Sequence, residues 1–162
     1  MKTMNTVAFN APRVLSREEE FITVTVADQL LGLPIGRVHD VFVVSEMTKV
    51  PLAQVEIAGL LNLRGRVVTA ISLRSRLGLQ EDGRMGRRMA VGLECQGEAY
   101  GLLVDEVGEV LKLDPGEMQP NPVHMDRRWV CLSQGVHQLK GELMIVLDVD
   151  AVLAFEAERD AA

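Results

Sequence analysis

Three histidines, two cysteines and one adjoining carboxylate pair are the side chains that could do chemistry here, and their spacing argues against most of it. His39, His124 and His137 fall in different stretches, with no HxxxH or HExxH spacing and no cysteine near enough to complete a metal set. Solvated or hydrogen-bonded imidazoles are the better reading. No Walker loop, GxSxG or GxGxxG is present, so nucleotide and acyl-transfer chemistry lack their usual anchors. Asp105 and Glu106 are adjacent, and adjacent strand residues point to opposite faces, so they cannot readily share one substrate. No catalytic residue, metal or cofactor is expected. What remains is Arg64, whose guanidinium could engage carboxylate or carbonyl groups of a partner.

The element that must position Arg64 is the stretch Ile57 to Leu77, IAGLLNLRGRVVTAISLRSRL. Gly59 to Leu63 is apolar apart from Asn62, Val67 to Ile71 is β-branched or small, and Arg64-Gly65 is the turn between them. Gly65 can take the positive φ that a two-residue turn demands, which puts Arg64 on a short rigid loop. A preorganised guanidinium loses little entropy on binding. After the second strand Ser72 is a good N-cap, with Leu73 and Leu77 spaced i, i+4 behind it. Arg74 and Arg76 read as a solvated face of that helical turn.

The chain has 162 residues, 48% of them hydrophobic, enough to bury a core as one domain or two small lobes. A net charge of −6 argues against a nucleic-acid binder, and 4% aromatic content leaves few base-stacking platforms. No apolar run approaches a membrane span and the N-terminus has no signal-peptide apolar region, so a cytoplasmic protein without membrane insertion is expected. Cys95 and Cys131 lie in apolar strand-like runs and read as buried, unbridged thiols.

Residues 1 to 15 carry no periodicity and read as a flexible tail; a single domain follows over 16 to 158. Ser16 to Glu19 fits a capping box, or its acidic run leads into a strand. From Phe21 to Val26 alternation puts Ile22, Val24 and Val26 on one face and Thr23 and Thr25 on the other, a half-buried strand. Strand-like runs continue through Leu30 to Val44, a loop covers Met47 to Gln54, and Gln80 to Arg88 reads as a linker or an exposed hairpin loop. Strands follow at Ala90 to Cys95, Ala99 to Val104, Trp129 to Leu132 and Glu142 to Leu147, then a C-terminal helix from Asp148 to about Glu158.

The two halves repeat. Gly101 lies 69 positions after Gly32, as Val110 does after Val41, within matching runs Leu31 to Val41 and Tyr100 to Val110. Gly59, Leu63 and Gly65 recur 76 positions on as Gly135, Leu139 and Gly141, which maps Arg64 to Lys140 and Ser72 to Asp148, another favoured N-cap. Duplication is the better reading. It predicts a mainly β protein of two five-stranded barrel lobes, about 21 to 79 and 90 to 155.

The segments Leu60 to Val68 (LLNLRGRVV) with Ile71 to Arg74 (ISLR), and Tyr100 to Leu111 (YGLLVDEVGEVL), resemble the CheW family of bacterial chemotaxis over roughly residues 20 to 156. The resemblance implies a pair of SH3-like barrels. It also implies an adaptor without catalysis, joining chemoreceptor cytoplasmic helices to the regulatory domain of a CheA-type histidine kinase at receptor arrays. By the same resemblance Arg64, Val38 and Asp40 fall in receptor-binding segments and Val110 in a kinase or receptor interface. Core packing is the competing reading for the two valines. The family commonly has a proline-aliphatic pair and then aspartate where this chain has Thr69-Ala70 and Ser72. Serine keeps the capping chemistry but drops a charge that a partner could have met. A small-ligand or carbohydrate-binding β-barrel is the alternative, and it would need a concave pocket with convergent polar groups.

Overall fold

A computed structural model of the protein describes residues 18–63, 65–80 and 88–154. Arg64, residues 1–17 (the tail and the first half of the Ser16 to Glu19 capping box) and the linker residues 81–87 lie outside the described residues, and the predicted helix from Asp148 is a single turn, Val149–Val152, that is capped at Leu153 and has ended by Ala154. The chain runs β1 (Glu19–Val26), β2 (Gln29–Pro34), a 3-10 turn (Ile35–Arg37), β3 (Val38–Val43), β4 (Ile57–Leu63), β5 (Arg66–Ser72) and α1 (Leu73–Arg76). It continues with β6 (Met89–Cys95), β7 (Glu98–Val104), β8 (Glu106–Leu113), a 3-10 turn (Pro115–Glu117), α2 (Arg127–Leu132), β9 (Ser133–Leu139), β10 (Glu142–Leu147) and α3 (Val149–Val152).

These ten strands form two five-stranded sheets, ordered β8-β1-β2-β10-β9 and β3-β6-β7-β5-β4. Adding five to each strand number of the first order, with wrap-around, reproduces the second, so the duplication is present in the strand pairings themselves. The division at the linker is not. Each sheet takes two strands from one half and three from the other, so the lobes are not residues 21 to 79 and 90 to 155 but exchanged composites of both. The physical reason is that β3 and β8 are equivalent edge partners, and the same pattern of alternation suits either first hairpin. The three-residue turn Ile35–Arg37 carries the chain out of the first sheet, where β10 pairs in parallel with β2, just as β5 pairs with β7 in the second.

Each sheet curls into an SH3-like lobe, closed where the chain beyond β3 or β8 returns to bridge the last hairpin, at Thr48 to Leu60 and at Gln119 to Val136. Glycine makes both closures feasible: a Cβ on Gly59 would come within 2.6 Å of the Thr48 carbonyl oxygen, and one on Gly135 within 2.7 Å of that of Gln119. The hairpin turns match too, with φ of 83° at Gly65 and 84° at Gly141. Ser72 Oγ accepts from the Ser75 amide at 3.1 Å and Asp148 Oδ1 from the Ala151 amide at 3.2 Å, capping α1 and α3.

The main core lies between the lobes, where Val24, Leu31 and Leu33 of the first meet Ile71, Leu93 and Leu102 of the second beneath the helices. Each lobe also holds an inner cluster, Phe21, Met144 and Val146 in the first and Leu61, Val68 and Ala90 in the second. This double burial corrects the reading of β1 as half-buried: Phe21 and Thr23 are enclosed by the curl of the lobe while Ile22, Val24 and Val26 face the other lobe. Trp129 to Leu132 is helix, not strand, because Asp126 Oδ1 accepts from the Arg128 amide at 2.8 Å and starts α2. Trp129 and Leu132 turn inward and leave Cys131 exposed, against the expectation of a buried thiol; Cys95 is half-buried, and both cysteines are free.

Candidate functional site

The sequence-derived candidates come together only in part. Val38 and Asp40 lie on β3, an edge strand of the second sheet, and Gly65 forms the β4–β5 turn of the same lobe. Val38 is half-buried against the inter-lobe core, so part of its role is packing. Asp40 stands over Gly92, where any Cβ would collide with its Oδ1, and this keeps the carboxylate at the sheet surface. Between β3 and the hairpin is a small cleft of about 120 Å³ with Phe42, Val68 and Ala99 in its wall and His39, Asp40 and Arg66 among its polar lining. His39 Nε2 is 3.3 Å from Glu94 Oε1, both side chains largely exposed.

Val110 is elsewhere. It sits on β8, opposite Ile22 at the edge of the first sheet, and is 45% exposed. The described candidates therefore divide between two sheets, Val38 and Asp40 in one and Val110 in the other. Two further exposed apolar side chains on the second sheet, Val43 and Val67, escaped the sequence reading. Strand alternation contained the signal, since Val44 and Val68 next to them are buried and their neighbours must point out.

The arginines assigned to a solvated face do structural work instead. Arg74 closes a two-pronged pair on Asp105, Nε to Oδ1 at 3.0 Å and Nη2 to Oδ2 at 2.7 Å, while the Ala27 amide donates to the same Oδ2 at 2.9 Å. Burial on its own would raise the Asp105 carboxyl, but the Arg74 hydrogen bonds, the Ala27 amide and the arginine charges outweigh it and hold the group below its ordinary range. Arg76 is only 7% exposed and donates to the Ala151 carbonyl at 2.8 Å. These positions follow α1 into the seam between lobes, a placement that no local pattern encodes. Asp105 is thus committed to Arg74 and is not half of a catalytic carboxylate pair.

His137 is the one histidine in a core, 3% exposed and tilted against Phe21 at 5.9 Å between ring centroids, with Nε2 lacking any hydrogen-bond partner. Among the described residues no group of three or more His, Cys, Asp or Glu is gathered so as to hold a metal ion, and no helix is long and apolar enough to cross a membrane. The arrangement offers edge strands, an outward hairpin and small apolar patches beside charges, the means of protein docking.

Comparison with known proteins agrees with that reading. The family model described as the CheW-like domain matches residues 20–157. The chain is 28% identical over 143 residues to the chemotaxis protein CheW of Rhizobium meliloti (strain 1021), covering 88% of this chain and 92% of that one. It is 28% identical over 137 residues to the chemotaxis protein CheW of Thermotoga maritima, covering 85% and 89%. Among solved structures it is similar to the scaffolding protein TtCheW from Thermoanaerobacter tengcongensis, with a TM-score of 0.72 and 28% identity over 81% of this chain and 89% of that one.

Proposed function

We propose, from the premise that this chain belongs to the CheW-like domain family, that it is a non-catalytic adaptor coupling chemoreceptor cytoplasmic tips to the regulatory domain of a CheA-type histidine kinase. The observation that carries the reading is the family match running through both composite lobes, residues 20–157. Such an adaptor works in the cytoplasm beside membrane-embedded receptor arrays. Arg64, Val38 and Asp40 are its receptor-binding residues and Val110 its kinase or receptor contact. Support comes from the two lobes: a bridge needs two surfaces, and β3 and β8 are edge strands of different sheets, one in each lobe. The cleft beside the hairpin, about 120 Å³, is well below the roughly 300–1,000 Å³ of small-molecule pockets, so that cleft itself does not favour a small ligand at the hairpin.

The test is a pull-down by the full chain of a CheA-type regulatory domain and a chemoreceptor cytoplasmic fragment, separately and together. Capture of both at once is expected, and capture of neither would sink the adaptor reading. Because interface cores are depleted of charge, moderate salt should weaken kinase binding only modestly; a steep loss would mark an electrostatic interface instead.

A further inference from the structure

Two ion pairs occupy equivalent places in the repeat with their charges exchanged. Arg74 and Asp150 are the second residues of α1 and α3, 76 positions apart, and each meets a residue from the connector that leaves the second strand of a repeat, Asp105 after β7 and Arg37 after β2. Each connector residue also reaches a first hairpin: Asp105 Oδ2 accepts from the Ala27 amide, and Arg37 Nη2 donates to the Glu94 carbonyl at 3.2 Å. In both cases the helix belongs to one lobe and the hairpin to the other. These are two clamps across one seam.

They differ in every feature that sets strength. Arg74 uses its planar fork on both oxygens of Asp105 and spends its remaining nitrogen on the Gln80 carbonyl at 2.9 Å, with the paired side chains 13% and 19% exposed. Arg37 uses one nitrogen for Asp150 Oδ1 at 2.8 Å, with side chains 34% and 69% exposed. The end of α1 is further braced by Trp129, whose Nε1 donates to the Leu77 carbonyl at 2.9 Å. Seventy-six positions before Trp129 stands Ala53, which has no side-chain donor to brace the end of α3.

We propose that Arg37–Asp150 is a salt-releasable latch and Arg74–Asp105 the fixed hinge of this seam, so that α3 parts from the β6–β7 hairpin in local openings while α1 stays docked. An exposed single contact is screened by salt and contributes little, whereas a partly buried fork is screened far less. Val149, Val152 and Leu153 seat α3 in the core shared by the lobes and Arg76 donates to its Ala151 carbonyl, so the openings are brief local excursions from a docked state. Cys95 lies under the latch, Sγ 3.7 Å from Asp150 Oδ1. Burial, and then the nearby Asp150 charge, push its thiol up, which keeps it protonated and suits a hydrogen-bond donor to the latch carboxylate better than a redox trigger. The latch is independent of which partners the protein binds.

Amide hydrogen exchange on the full chain tests this at two equivalent amides, Leu153 bonded to Val149 and Leu77 bonded to Leu73. Raising salt from about 0.05 to 0.5 M should speed exchange at Leu153 by roughly threefold to fivefold and leave Leu77 nearly unchanged. Arg37→Gln should produce the same acceleration at low salt and abolish the salt response. Exchanging the charges, Arg37→Asp with Asp150→Arg, should restore both protection and salt dependence, which separates an electrostatic latch from a merely structural contact. Equal salt responses at the two amides, no change at Leu153 in Arg37→Gln, or acceleration of all protected amides together would each overturn the proposal.

Discussion

The lobe built on β8-β1-β2-β10-β9 and the lobe built on β3-β6-β7-β5-β4 share every strand pairing, yet they fill equivalent space with different residues. Where the first lobe sets Phe21 opposite Leu111, the second sets Ala90 opposite Phe42, so the aromatic ring has moved to the other strand of the same pair. Where Thr23 fills the space a Cβ on Gly108 would enter, Asp40 fills the space above Gly92. Where Asp105 meets Arg74, Arg37 meets Asp150. What the fold holds constant is a property of the pair, a summed volume or a neutral charge, and not the residue at either position. One buried exchange has no such compensation: the place held by Leu61 in the second lobe holds His137 in the first.

The largest expected effect breaks that volume rule directly. Phe21→Ala should cost about 3–5 kcal/mol in a urea titration, since the ring is fully enclosed by Met144 and Val146 and its cavity cannot collapse. Adding Leu111→Phe, which copies the arrangement of Ala90 and Phe42, should recover a measurable part of the loss. Strict additivity in the double-mutant cycle would show that the pair is not the unit.

Removing one member of each clamp compares the two sides of the seam. Arg74→Gln strands Asp105 in a half-buried site and should cost about 2 kcal/mol, discounted from fully buried pairs for residual solvent. Arg37→Gln should cost less than about 1 kcal/mol. The carboxyls of Asp105 and Asp150 are both held below their ordinary range, the latter by the Arg37 hydrogen bond. Their stabilisation is present above the unfolded carboxyl value, about 4, and is lost as pH falls through the lower folded values. Stability measured between pH 5 and pH 2 should therefore fall less steeply in Arg74→Gln than in the parent; equal slopes would remove Asp105 as a source of acid sensitivity.

The two hairpin turns sharpen the comparison in function. Arg64→Ala should weaken receptor-fragment binding by about 2 kcal/mol or more if the guanidinium anchors the complex, while folding changes by no more than roughly 0.5 kcal/mol. Lysine at position 64 should rescue poorly because a point charge cannot copy the planar fork. Lys140→Ala, at the equivalent turn of the other lobe, should bind normally. Normal receptor binding by Arg64→Ala would falsify the assignment.

The smallest effect is a gain. His137→Leu, matching Leu61, removes a buried nitrogen without a partner and should stabilise by about 1 kcal/mol on thermal or urea unfolding. A loss would mean that the imidazole packs better against Phe21 than a leucine can.

Much of this was legible in the residues alone. Alternation from Phe21 to Val26, glycine in the Arg64-Gly65 turn, the caps Ser72 and Asp148 and the paired runs at shifts of 69 and 76 are local or periodic features, and local features dictate φ, alternation and capping wherever the chain goes. The sequence by itself thus determined the mainly β fold of two five-stranded lobes, the duplication and the family, while β8 (Glu106–Leu113) carries no strand assignment from the sequence and β9 (Ser133–Leu139) is implied only through the repeat. Tertiary structure decided which repeat completes which sheet, because two equivalent edge strands carry the same pattern and only the competition between long-range pairings selects one. It also decided that Arg74 and Arg76 enter the seam, that both faces of β1 are buried, and that Val110 and Asp40 belong to different lobes. Those outcomes depend on what packs opposite a residue, and its partner stands dozens of positions away in the chain.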